Sequence, residues 1–228
     1  MIRHCPTPKK PSRRAPQWAH DEYALLLEES KISSRGADAI KDLRCNMDMN
    51  PEGADKQLVV SVDGGYTNKT VIRPLPERTT LIGRIRMDAK IYPLPGEEEH
   101  RRGRKRFYGE ELPTPEEIRQ DDSIHWETVK AFASDRIHEF KVKIVRPIRS
   151  RIRGEKDLSL LIVRPLHYRL KKGSCLLYRK PTYLVCTDLD LSAEKMLQWY
   201  LWRWQIEVNF RDEKSLIGID AQSEQRSL

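Results

Sequence analysis

The stretch QLVVSV, residues 57–62, constrains the fold more than any other part of the chain. It is an almost unbroken β-branched run that ends at Asp63-Gly64-Gly65. A short continuous run of this kind reads as a strand buried on both faces, in the middle of a sheet flanked by helices. TNKTVIRPL then predicts a short helix stopped by Pro74, since the residue before a proline is pushed out of the helical region. TLIGRIRM, residues 80–87, alternates well enough to be the next strand. Strand, helix and strand within about 30 residues make a βαβ unit, which predicts a parallel pair.

The rest of the chain divides by composition. Residues 1–17 carry four prolines and five basic residues with no acid, and read as a disordered basic arm. From Asp21 the pattern is helical through YALLLEES, breaks near Ser33-Ser34, and resumes after Gly36. Residues 18–92 are therefore expected to hold the first part of an α/β core. Beyond Tyr92 come a charge-dense loop and a second polar connection, PTPEEIRQDDSIHWE. EFKVKIV, LSLLIV, SCLLY and TYLVC then read as short strands punctuated by Gly154, Pro165, Gly173 and Pro181. Residues 93–180 are expected to be a β-rich basic insertion, and 181–228 a last core strand and helix.

Charge sharpens that division. The chain carries +8 overall, yet residues 97–182 hold 21 Lys and Arg against 14 Asp and Glu, while residues 183–228 hold 5 against 8. A basic middle beside an acidic end makes nucleic acid the first partner to consider, because clustered cations neutralise phosphates and release counterions. A solvated basic surface would give the same count. No apolar run approaches the ~20 residues of a membrane span, and the amino terminus lacks a signal peptide's apolar stretch. Cys5, Cys45, Cys175 and Cys186 form no C-x-x-C pair and read as reduced thiols.

The final helix opens at LDLSAEKM, where Ser192 or Asp190 can cap it, and runs through YLWRWQIEVNFRDEK to a stop near Gly218. At ~100° per residue, Tyr200, Arg203, Glu207 and Lys214 share a stripe about 60° wide. Leu197, Leu201, Trp204 and Val208 flank it, with Trp202 and Ile206 behind, so protein should grip most of the helix. On spacing alone the stripe is equally an exposed face carrying an Arg203–Glu207 ion pair. Tyr200 and Trp204 beside the charges suit a phosphate backbone with stacked bases.

The spacing of Tyr200, Arg203, Glu207 and Lys214 resembles the Y-R-E-K signature of DDE transposases from bacterial insertion sequences. DGGYTN followed by LIGRIRMDAKIY is similar to that family's block around the second aspartate. The resemblance covers about residues 57–218 and implies an α/β, ribonuclease-H-like core, here incomplete, with a β-rich basic insertion. It implies that Asp63 and Glu207 approach each other as catalytic carboxylates and ligands of Mg²⁺ or Mn²⁺, hard cations that prefer oxygen donors. Two such ions about 4 Å apart would serve phosphodiester cleavage and strand transfer. Tyr200, Arg203 and Lys214 would hold phosphates at transposon ends. Double-stranded DNA and another transposase chain are the implied partners, and the location is cytoplasmic, bacterial and nucleoid-associated.

The family's first aspartate lies on an upstream core strand. Only 56 residues precede QLVVSV, and none of Asp21, Asp38, Asp42 and Asp48 ends an apolar strand. The chain is therefore expected to be a transposase fragment, truncated at both ends and catalytically incomplete; a non-catalytic DNA-binding remnant, or an inhibitor of intact transposase, is the alternative. A basic nucleic-acid-binding module unrelated to transposition would require the signature spacing to be accidental. Arg101, Arg102, Arg104, Lys105 and Arg106 are further candidates for phosphate contacts, or a solvated loop. The arginines of IVRPIRSRIRG give a hairpin one basic face or an ordinary exposed strand, and Trp126 is an anchor or a base-stacking surface.

Overall fold

The β-branched run folds as β1 (Leu58–Val62), and TLIGRIRM supplies β2 (Thr79–Arg84). They pair in parallel from Leu58–Thr79 to Val62–Gly83. α3 (Lys69–Ile72) connects them, so the βαβ unit is present. Asn68 starts this helix by accepting from the Thr70 and Val71 N–H groups, which a first turn otherwise leaves unpaired. The molecule is seen in a computed structural model that describes residues 8–96, 106–133, 136–168 and 177–203.

The remaining strands are β3 (Glu127–Ala133), β4 (Arg136–Ile148), β5 (Leu158–Val163), β6 (Leu166–Tyr168), β7 (Leu177–Arg179) and β8 (Thr182–Cys186). Six of them make one sheet in the order β1-β2-β8-β5-β4-β3, with β6 and β7 paired separately. Among the described residues β1 is therefore an edge strand, where the run taken alone reads as mid-sheet. The physical reason is legible in its packing. Leu58, Val60 and Val62 pack against a cluster of Ile40, Val71, Ile72 and Leu81, while Val59 packs into the core on the opposite face. Helices cover both faces, which is what a continuous β-branched run demands; the run says nothing about whether both edges are paired.

β3, β4 and β5 belong to the segment expected as an insertion. They join β8, and through it β2, by antiparallel pairing. The insertion is thus a continuation of the core sheet. The helix before β3 falls within the stretch expected as a polar connection. That helix, α4 (Pro115–Gln120), starts with a reciprocal capping box between Thr114 and Glu117, a T-x-x-E pattern present in the sequence.

α1 (Gln17–Ser30) and α2 (Ile32–Met49) meet at Lys31, slightly before the expected break, so Gly36 lies inside α2. It has a packing role there. A Cβ on Gly36 would sit 2.7 Å from the Tyr66 ring, so only glycine lets that ring rest on the helix. α2 buries Ala37, Ile40 and Arg44 along one stripe, whereas α1 buries nothing. Arg44 fastens the following loop, donating to the Lys56 carbonyl oxygen (2.7 Å) and to the Asp48 carboxylate (2.8 Å).

The last described helix, α5 (residues 193–203), is capped by Ser192, whose hydroxyl accepts from the Lys195 N–H. Ala193, Met196, Leu197 and Tyr200 enter the largest core cluster with Ile82, Phe140, Val142, Leu161 and Leu184. Burial of each large apolar side chain contributes about 1.5–3 kcal/mol. Consecutive residues of α5 bond to opposite edges of the sheet, Gln198 to Phe132 on β3 and Trp199 to Ser61 on β1. The sheet therefore curls around this helix. The face carrying Met196, Leu197 and Tyr200 is gripped, while Trp202 on the far side is 48% exposed, so the described part of the helix is not held all round.

Candidate active site

Asp63 leaves the carboxyl end of β1 and is exposed. Its Oδ1 accepts from the Gly64 N–H (2.9 Å), capping a short 3-10 turn over Gly64–Tyr66. The Thr67 hydroxyl returns to the Asp63 carbonyl oxygen (3.2 Å) and fixes the turn. Close approach to β2 depends on Gly83, because a Cβ there would lie 2.3 Å from Thr67 Oγ1 and 3.0 Å from Val62 Cγ2. The carboxylate is thus held at the end of two parallel strands, where open α/β sheets place their sites.

α5 brings the first half of the signature to the same place. Tyr200 is buried in the core, not laid along an exposed stripe, and the Arg203 guanidinium lies 5.5 Å from the centre of its ring. Burial raises the Tyr200 phenol above its ordinary pKa. The charges of Arg203 and Arg84 oppose that rise and the charge of Asp63 adds to it, so all three side chains act on one phenol. α5 is tied to β1 where the Ser61 hydroxyl donates to the Trp199 carbonyl oxygen (3.0 Å), two residues before Asp63. A hollow of about 350 Å³ beside Arg203 is lined by Val59, Ser61, Trp199 and Trp202.

From Asp63 a cleft of about 1200 Å³ runs over β2 and β8, between the Asp63–Thr67 turn and α4. Its wall includes the Glu116–Arg119–Tyr183 cluster, which sequence reasoning missed; the capping box was the available signal. Arg119 grips the Glu116 carboxylate with two nitrogens (2.8 and 2.5 Å), and the Tyr183 hydroxyl donates to the same group. Together, with Arg119 the largest influence, these bonds hold the Glu116 pKa down at about 2. Behind them Lys143, fully buried, donates to the carbonyl oxygens of Ile118, Arg119 and Asp121 at the end of α4. A cation is favourable there because it meets the negative end of the helix dipole.

The other candidates divide clearly. Arg106 is exposed, while Arg101, Arg102, Arg104 and Lys105 lie outside the described residues, as do Glu207 and Lys214. The arginines of residues 144–154 are mostly fastenings. Arg146 donates to the Leu189 and Leu191 carbonyl oxygens, Arg149 to Asp157 and to Phe107 O, and Arg153 to Asp157 O and Thr187 O. Arg151 alone of them lines the cleft. Trp126 packs on the core cluster of β5 and β8, with the Lys143 ammonium 4.6 Å and the Arg164 guanidinium 5.8 Å from its ring centre. It is an anchor. Cys45 and Cys186 are free thiols.

Among the described residues no group of three His, Cys, Asp or Glu side chains could hold a metal, and no helix is long and apolar enough to cross a membrane. At the end of β1 the described chain offers the hard oxygen donors of Asp63, suited in kind to a divalent cation but short of a full ligand set. Comparison with curated proteins and with solved structures returns no match. The family model for the transposase DDE domain matches residues 37–226. That family's substrate is DNA and its chemistry uses divalent metal. The match spans β1, the Asp63 turn, the whole curled sheet and α5, and this chain belongs to the DDE transposase domain family.

Proposed function

We propose that the chain acts on transposon ends as a DDE transposase of the Y-R-E-K type, with a ribonuclease-H-like core. Asp63 and Glu207 are its metal-holding carboxylates. The observation that supports this reading is the Ser61–Trp199 hydrogen bond (3.0 Å), which lays α5 against β1 two residues before Asp63, with Tyr200 and Arg203 following on the same helix. When bound, Mg²⁺ or Mn²⁺ supplies activation of the attacking oxygen and stabilisation of the leaving one. Arg203 and Lys214 hold the phosphates on either side of the scissile bond, the first through its planar fork and the second as a point charge. Tyr200 sets the position of Arg203 from beneath. Glu207 stands four residues beyond Arg203 in sequence, one helical turn by spacing.

A non-catalytic, DNA-end-binding role is the second reading. It is favoured by the exposed cations Arg84, Arg86, Lys90, Arg151 and Lys180 around the cleft that starts at Asp63, which can hold phosphates whether or not a bond is cut. The experiment is a nicking assay on a linear duplex carrying a transposon end, with Mg²⁺ or Mn²⁺, alongside a binding titration at several salt concentrations. The transposase reading expects salt-dependent binding that Arg203→Ala weakens, and cleavage, alone or with an added Asp-bearing transposase segment, that Asp63→Ala and Glu207→Ala abolish. Cleavage unaffected by either change would overturn the assignment of the carboxylates. Binding without cleavage under every condition would leave the second reading.

A further inference from the structure

The cleft beside Asp63 is too large to be an accident of packing and is larger than an ordinary small-molecule pocket of ~300–1,000 Å³. Its floor is apolar, formed by Ile85, Ile91, Ile152 and Val185, and Met87 stands on its rim with 55% of its surface exposed. Its rim is basic: Arg84, Arg86, Lys90, Arg151 and Lys180 all line it and all are exposed. The acids are largely engaged. Glu116 is held by Arg119 and Tyr183, and Asp88 by Arg86 through two bonds of 2.8 Å. Lys90 pairs with Glu111 at 3.0 Å. Exposed pairs of this kind contribute little and exchange readily for a phosphate.

The walls are fixed. Arg73 donates to the Arg151 carbonyl oxygen (2.8 Å), the Ser150 hydroxyl to Lys90 O (3.3 Å), and Tyr92 and Arg149 form a β-bridge. A preformed trough with cations along its rim and an apolar floor matches a single nucleic-acid strand, whose backbone and base faces are both available. A duplex turns its bases inward and offers the floor nothing. An acidic peptide would satisfy the rim but leave the floor uncovered.

Resting on the reading of the chain as a DNA-end-processing protein, we infer that this cleft takes the unpaired strand next to the bond at Asp63. Arg151 and Lys180 meet its phosphates, and Met87 meets a base. The site is separate from the Arg203 stripe, which contacts the duplex end.

The test is fluorescence anisotropy with three labelled DNAs of one sequence: a single strand of about 15 nucleotides, a blunt duplex, and a duplex with a single-stranded extension. The variants are Arg151→Glu/Lys180→Glu and Met87→Asp, all at exposed positions, with thermal unfolding to confirm the fold. Arg203→Ala serves as the comparison. The cleft variants should weaken binding of the single strand and of the extended duplex about ten-fold or more while changing the blunt duplex less than about three-fold. Arg203→Ala should do the reverse. Equal losses on all three DNAs, or no loss on the single strand, would overturn the cleft assignment while leaving the transposase reading in place. Absence of binding to any of the three DNAs would overturn both readings together.

Discussion

Phe132 gives both its peptide groups to one side chain: its N–H donates to Gln198 Oε1 (2.6 Å), and its carbonyl oxygen accepts from Gln198 Nε2 (3.1 Å). An amide side chain on α5 thus stands in for the neighbouring strand that edge strand β3 lacks. The next residue, Trp199, accepts from Ser61 on the opposite edge (3.0 Å). Two adjacent helical residues therefore fasten both edges of the sheet, and Trp199 does so at Ser61, two residues before Asp63.

Replacing Gln198 by Leu should cost about 1 kcal/mol, the net worth of a typical hydrogen bond between partly solvated groups, with the apolar body of the residue kept. Urea denaturation measures the loss. Hydrogen exchange at the Phe132 amide should quicken in the same variant, and an unchanged amide would mean that the clamp is not formed in solution.

Lys143→Met should be among the most damaging substitutions. It removes a fully buried cation and leaves three carbonyl oxygens at the end of α4 without their donor. Each buried unsatisfied acceptor costs roughly 1–3 kcal/mol, and partial access of water to two of them brings the expected total to about 2–4 kcal/mol. Chemical denaturation of the purified variant decides it.

Gly83→Ala tests the Asp63 turn. The new methyl would meet Thr67 Oγ1 at 2.3 Å, so the turn must move or the strands must part. Overpacking of this kind costs about 1–3 kcal/mol. Thr67→Ala in the same chain removes the nearest atom and should restore part of the loss, which a double-mutant cycle on thermal unfolding would measure.

The Glu116 cluster predicts an acid limb. Its folded pKa of about 2 lies below the ordinary 4.5, so the carboxylate binds its proton more weakly in the folded chain. The stabilisation is complete above about pH 4.5 and is lost as pH falls from there toward 2. Glu116→Gln should lower the melting temperature near neutrality and flatten its dependence on pH across that window. A parallel curve for wild type and variant would show that Arg119 and Tyr183 do not hold the group.

The sequence by itself determined what local chemistry can encode. β-branched residues made β1 a strand with two covered faces, Ser192 marked the start of α5, and the apolar spacing of Leu197 beside Tyr200 marked a helix face that packs into the core, while the capping box of Thr114 and Glu117 went unread. Tertiary structure decided the rest. Whether β1 has one paired edge or two depends on partners elsewhere in the chain, since a strand's side chains read its faces while only its backbone reads its edges. Likewise no local pattern says that the strands of residues 127–163 extend the core sheet, because antiparallel pairing through β8 is a contact between distant segments. The fates of the arginines were the least legible. Arg146, Arg149 and Arg153 spend their donors on carbonyl oxygens that only the folded chain brings within reach, while Arg151, from the same alternating run, is left lining the cleft.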